Sequence, residues 1–246
     1  MTNSSTGPRI GFFTRLLEDA PAEKRYRFAL EQIQAAETCG FDSAWVAQHH
    51  FSAAEGGLPS PLVFLSHAAA RTSRIRLGTA IITLPMENGV RAAEDAAVTD
   101  VLSGGRLEIG LGSGGNPTSF PAFGTSFDER REMFADNLAA LKTLLAGQSL
   151  DTGHALYPEA THLSERLWQA TFSSGGASAA GAAGDGLMLS RTQPRPQNSH
   201  GASLDEVQLP VIDAYLSKLP NGVAPRILAS RTAVVAAAAS LPELRA

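Results

Sequence analysis

Short apolar runs alternate along the chain with longer stretches in which apolar residues recur every three or four positions. The first run, Arg9-Ile10-Gly11-Phe12-Phe13, reads as a strand. From Pro21 onward Phe28, Leu30, Ile33 and Ala36 follow at roughly helical spacing until Cys39-Gly40, where glycine suits a left-handed helix stop. Residues 43–47 predict a second strand, which leads into Gln48-His49-His50-Phe51 and a glycine-containing loop. Ser60-Pro61 then opens a helix as N-cap and first-turn proline. A third strand is expected over residues 76–85, with Ala80 and Ile81 inside it. An Asn88-capped helix follows, closed by Ser103-Gly104-Gly105, and a fourth strand covers residues 107–112. Strand, helix, turn and strand in immediate succession are the grammar of a parallel sheet.

Beyond a loop at residues 113–125, Ser126-Phe127-Asp128-Glu129 has the form of a capping box, starting a helix with Phe134, Leu138, Leu141 and Leu145 on one side. Residues 150–165 read as a long surface loop and 167–172 as strand five. The Gly/Ala/Ser-rich stretch 173–183 is read as a small-residue helix feeding strand six at Leu187-Met188-Leu189-Ser190. After a polar loop over 191–203, Pro210 is expected to open a helix that buries Ile212, Tyr215, Leu216 and Leu219. Residues 226–235 make strand seven. Seven strands alternating with about six helices, without a repeat or a shift of composition, predict one α/β domain spanning residues 1–246. The architecture expected is a TIM-type (β/α)8 barrel, incomplete at its C-terminal end, because the tail 236–246 is too short for an eighth strand and its helices.

Composition narrows the function classes. The chain is 43% hydrophobic and 18% charged, as in an ordinary globular protein. Its net charge of -4 and pI near 5.9 provide no basic stripe for nucleic acid. Cys39 stands alone, which precludes an intramolecular disulfide. Residues 1–8 are polar and are read as a disordered N-terminus; no leader and no apolar run of membrane-spanning length is seen, so a cytoplasmic location is expected.

In such a barrel the residues just after each strand carry the chemistry. His49-His50 follows strand two and supplies a proton donor or acceptor near neutral pH, or metal ligands; no third ligand sits at a recognisable spacing. Adjacent residues of an extended segment point to opposite faces, so one histidine of the pair is expected in the site. Residues 110–115 match G-x-G-x-x-G formally, but Asn116-Pro117 follows where that fingerprint needs a helix. The steric reading is that Glu108, Gly110 and Gly112 share a face that leaves space for a planar ligand or another backbone. Arg130 and Arg131, in the first turn of a helix where the macrodipole disfavours cations, are either solvated arginines offset by Asp128 and Glu129 or contacts for an anionic ligand.

Taken together, Gln48-His49-His50-Phe51, Gly78-Thr79-Ala80-Ile81, Arg91 with Glu94 and Asp95, Ser103-Gly104-Gly105-Arg106, the 110–116 loop and Phe123-Gly124 resemble, in order and spacing, the bacterial luciferase-like flavin-dependent monooxygenases. The resemblance is strong over residues 9–147 and looser over 165–235. It implies a barrel that takes reduced FMN from a separate flavin reductase and uses dioxygen to oxygenate a small-molecule substrate. It further implies His49 as the catalytic histidine, Ala80 and Ile81 under the flavin ring, Gly115 and Asn116 along the cofactor, and Arg131, Ser173 and Ser174 at its phosphate. Ser113 departs from the family, standing where the luciferases place a phosphate-binding arginine. Related barrels use deazaflavin F420 instead, and a shortened family member binds flavin without known catalysis. Homodimerisation through the helices after strands two and three is also implied.

Overall fold

The computed structural model describes residues 7–195 and 201–233. Its strands are β1 (Gly11–Thr14), β2 (Ser43–Val46), β3 (Arg76–Thr79), β4 (Ile82–Thr83), β5 (Leu107–Gly112), β6 (Leu167–Ala170), β7 (Gly186–Leu189) and β8 (Ile227–Ala229). Every pairing is parallel, in the order β1-β2-β3-β5-β6-β7-β8, with β4 also on β5, so the strands follow the chain around a curled half-barrel. Among the described residues no pairing joins β8 to β1. The helices α1 (Ala22–Thr38), α2 (Pro61–Ala69), α3 (Gly89–Ser103), α4 (Arg130–Leu145), α5 (Ser174–Ala182) and α6 (Leu204–Leu216) make the crossovers. Among the described residues no helix is long and apolar enough to cross a membrane.

The third strand is interrupted. Gly78 faces Glu108 and Ile82 faces Leu111, four steps on one strand against three on the other, so it carries one residue more than its partner. The gap is bridged by a side chain: Thr79 Oγ1 donates to the Gly110 carbonyl at 2.8 Å and accepts from the Gly110 amide at 2.9 Å. The Ala80–Ile81 peptide between β3 and β4 is cis.

The outer face of the sheet is buried conventionally. Ala44, Val46, Leu77, Leu107, Ile109 and Leu111 pack with Ile33, Phe64, Leu65, Leu141 and the alanine stripe Ala92, Ala93, Ala96 and Ala97 of α3. Small residues let α3 lie close to the strands. A second cluster joins Ala177, Ala180, Leu187, Leu189, Val211 and Tyr215, with Gly181 so close to the Tyr215 carbonyl that α5 and α6 meet backbone to backbone. Ser-Gly-Gly-Arg has a mechanical role: Gly104 (φ 66°) and Gly105 (φ 79°) turn the chain, and Arg106 donates to the carbonyls of Ala69, Thr72, Ile75 and Ser103, capping α2.

The inner face carries Trp45 and Trp168, edge to face at 5.8 Å. Their rings lie over Gly78 and Gly186, where any Cβ would overlap them. Glu108, buried between the strands, accepts from Trp168 Nε1 at 2.7 Å, from Arg166 at 3.2 Å and from Arg76. Its carboxylate is thereby paired and fully hydrogen-bonded, the condition under which a charge is tolerated inside.

Several expectations need correction. Residues 126–129 form no capping box; Ser126 Oγ accepts only from the Asp128 amide (3.3 Å), and α4 starts at Arg130 without a side-chain cap. The capping box is Ser203–Glu206, which starts α6 at Leu204 and leaves Pro210 inside the helix rather than at its head. Proline removes one intrahelical bond there, and burial of Val211 and Tyr215 against α5 and β7 holds the helix through it. Short 3₁₀ turns occupy Pro117–Phe123 and Thr161–Arg166 within the expected loops. Of the expected strand seven, residues 227–229 are paired; 234 and 235, like the tail 236–246 and the N-terminal residues 1–6, lie outside the described residues.

Gly78→Ala and Gly186→Ala should each cost about 1–3 kcal/mol, because the added methyl displaces a tryptophan ring in a packed interior. Urea unfolding followed by tryptophan emission checks the magnitude and the ring's change of environment together.

Candidate functional site

The concave inner face of the half-barrel is a cavity of about 2460 Å³ that runs from the amino ends of the strands, at Asp42, Arg74 and Pro225, past the two tryptophans to the carboxyl ends. Its rim is held by hydrogen bonds from buried polar side chains. Gln48, just past β2, donates to the Pro59 carbonyl (3.2 Å) and to Glu87 Oε1 (2.8 Å), and accepts from the Thr83 amide at 2.7 Å. One side chain thus ties β2, β4 and the following turn together. Burial pushes the Glu87 carboxyl up, and the Gln48 hydrogen bond partly offsets this.

His49 is fixed by its own amide, which donates to the Leu58 carbonyl at 2.9 Å, and by Gly56, whose missing Cβ makes room for the imidazole. Its Nδ1 lies 3.9 Å from Glu55 Oε2, and the same carboxylate oxygen accepts from Asn116 Nδ2 at 2.6 Å. Burial holds the His49 pKa below the ordinary imidazole value, helped by the Arg15 charge and opposed by Glu55. The ring is therefore neutral at neutral pH, with Nδ1 toward the carboxylate and Nε2 left for a bound molecule.

Both histidines line the cavity, against the expectation of one. The chain past Val46 has left the strand, so the alternation of faces no longer applies; Phe51 even adopts φ 61°. His50 packs edge-on against Phe123 at 4.7 Å, its Nε2 is buried without a partner, and burial lowers its pKa.

Ala80, Ile81, Gly115, Asn116, Arg131 and Ser173 also line the cavity, so the structure brings these separate segments to one mouth. Ser174 is outside it: as the first residue of α5 it borders a smaller pocket with Gln193 and Pro210. Ser173 Oγ accepts from the Gly176 amide at 3.1 Å as the N-cap of α5. The glycine face serves backbone packing more than open space. A Cβ at Gly110 would strike the Thr79 carbonyl and, at 2.7 Å, Met188 Sδ; one at Gly112 would lie 2.9 Å from Ile81 Cδ1. Only Gly115 of that loop faces open space, together with the rim beyond it. The two arginines divide their work: Arg130 stacks on Phe127 at 3.7 Å and donates to its carbonyl, while Arg131 makes no hydrogen bond or ion pair with another described residue.

Sequence reasoning missed Arg15 and Glu55. Arg15 follows β1 directly, so the rule that picked out the other positions applies to it too; Glu55 became visible only when the 49–60 loop was folded back onto Asn116. Among the described residues no three of His, Cys, Asp and Glu are grouped to hold a metal ion.

The family model for luciferase-like monooxygenases matches residues 9–207. The 4-hydroxyprotoasukamycin monooxygenase of Streptomyces nodosus subsp. asukaensis is 36% identical over 118 residues, 48% of this chain and 32% of that enzyme. The alkanal monooxygenase alpha chain of the Kryptophanaron alfredi symbiont is 34% identical over 128 residues, 51% of this chain and 36% of that protein. The alignments thus span about a third of these curated relatives. Among solved structures, monooxygenase RslO1 from Streptomyces bottropensis superposes with a TM-score of 0.74 at 25% identity, covering 89% of this chain and 70% of that one. The fold is shared with the FMN-bound oxygenating constituent of 3,6-diketocamphane monooxygenase from Pseudomonas putida (TM-score 0.69, 14% identity, 89% of this chain and 66% of that one). It is shared also with an F420-dependent secondary alcohol dehydrogenase (0.63, 21% identity, 89% and 68%). With its parallel half-barrel and a family match running from residue 9 to residue 207, this chain belongs to the luciferase-like monooxygenases.

Proposed function

We propose that the protein is a flavin-dependent monooxygenase that uses reduced FMN and dioxygen to oxygenate an organic substrate, with His49 at the reacting centre. The observation that carries this is the convergence of His49, Ala80, Ile81, Gly115, Asn116, Arg131 and Ser173 on one cavity from the ends of β2, β3, β5 and β6 and the first turn of α4. The residues fit a planar, phosphate-bearing cofactor. Ala80, Ile81, Ala170 and Met188 supply an apolar wall, and Gly115 leaves room where any side chain would intrude. Arg131, free of other partners among the described residues, and the α5 N-terminus at Ser173 offer charge and amides for a phosphate.

Bound there, reduced FMN would supply the two electrons with which dioxygen yields one oxygen atom to the substrate and the other to water. The chain's own task is to bind, exclude bulk water and handle a proton. His49, neutral and with its Nδ1 3.9 Å from Glu55, accepts or returns a proton at Nε2, and Asn116 keeps that carboxylate in place. F420 is the second cofactor to weigh, since an F420-dependent dehydrogenase has the same fold. A separate flavin reductase, a cytoplasmic location and a homodimer complete the proposal. For the dimer, Val63 of α2 and Val98, Val101 and Leu102 of α3 are exposed on neighbouring helices.

Titrating the protein with FMN, riboflavin and F420 side by side tests the cofactor. FMN should bind most tightly, and Arg131→Gln should weaken FMN by about tenfold or more while leaving riboflavin unchanged; failure of FMN to bind refutes the function. With a reductase and an alkanal as probe, His49→Ala should lower kcat by about 10²–10⁴-fold at unchanged FMN affinity. The acid limb of kcat/KM should lie below pH 6.5, because the fold disfavours the imidazolium, and Glu55→Gln should move it lower still by removing the charge that favours it. Val101→Glu with Leu102→Glu should yield a monomer in sedimentation if this face is the interface.

A further inference from the structure

Arg15 is a cation in the cavity for which the cofactor reading has no use. It follows β1, lines the cavity, and stands close enough to His49 for its charge to act on that ring. Its Nη2 donates to the Glu55 carbonyl, so the guanidinium is tethered to the loop that carries His49. Its Nε is buried and has no acceptor, and no carboxylate among the described residues lies within ion-pair distance. Glu18, three residues on, directs Oε1 to Gln32 Nε2 at 3.3 Å, and its Oε2 is likewise buried without a donor; the two do not pair. A buried guanidinium N–H without a protein acceptor is costly to maintain. Apolar surface flanks it, for Phe13 and Leu17, both partly exposed, line the same wall.

We propose that Arg15 determines substrate specificity by holding an anionic oxygen group, a carboxylate above all, of an otherwise apolar substrate beside His49. A guanidinium fixed through Nη2 suits a carboxylate oxygen at its remaining N–H groups, and the phenyl and isobutyl groups of Phe13 and Leu17 in the same cavity suit a hydrocarbon body. This rests on the cavity being the substrate site, whichever cofactor shares it. The same anionic chemistry could also come from the cofactor's phosphate, so the test must separate the two.

The experiment is calorimetric titration of the full chain with decanoate and decan-1-ol, which differ in the charged head. The protein should prefer decanoate by about tenfold or more, the worth of a charge-assisted hydrogen bond. Arg15→Met should abolish that preference and leave decan-1-ol binding unchanged; Arg15→Gln, which can still donate to the Glu55 carbonyl, should do the same if the methionine variant fails to fold. The ratio of FMN to riboflavin affinity should be unaltered in the soluble variant. No preference in the unsubstituted protein, a preference that survives the substitution, or a fallen FMN-to-riboflavin ratio would each overturn the assignment. If FMN does not bind but the decanoate preference depends on Arg15, the flavin reading fails and this one stands.

Discussion

A curled parallel sheet has two faces to remove from water, and nearly everything in this molecule follows from how it does so. The outer face is covered by helices. The inner face carries two tryptophans seated over glycines and one carboxylate shared between a tryptophan and two arginines. Indole over glycine is a tight arrangement: the ring occupies the volume that a side chain on the neighbouring strand would need. The rest of the inner face, the carboxyl end included, stays hollow, and a hollow is what a ligand requires.

The rim is organised by groups that each connect two or three strand ends. Gln48 joins β2 to β4, Thr79 stands in for the main-chain bonds lost at the extra residue of the third strand, and Glu55 links His49 to Asn116. The bonds of Gln48 to Glu87 and Thr83 and those of Thr79 are short and come from buried side chains, so this part of the mouth is preorganised rather than assembled by a ligand. Against that background the unpaired polar atoms at the mouth, on Arg15, Glu18 and His50, stand apart. The charge balance there sets the proton chemistry: burial and Arg15 hold His49 neutral, and Glu55 pulls the other way.

The strands, their order and the parallel topology were legible along the chain because each is encoded locally, by an apolar run and by glycine or asparagine at the right boundary. Asn88 caps α3 through the amides of Val90 and Arg91, and Gly104 ends it in the left-handed region. Errors arose where two local signals competed, as at Pro210 against Ser203-Glu206, or where a polar tetrapeptide matched a capping pattern without forming it, as at Ser126. The site was legible in part. Most of the positions expected after the strands line one cavity, but Ser174 turned away from it with the first turn of α5, and both histidines entered instead of one.

By itself, then, the sequence determined the alternation of strands and helices, the parallel sheet they imply, and which residue types stand at the strand ends, since these depend on interactions within a few residues. Only the tertiary structure decided that Gly110 meets the Thr79 backbone, that Glu55 reaches Asn116, and that Arg15 is left with an empty donor beside His49. Those are relations between segments 30 to 60 residues apart, and which polar groups find partners there is settled by how the strands close up in space.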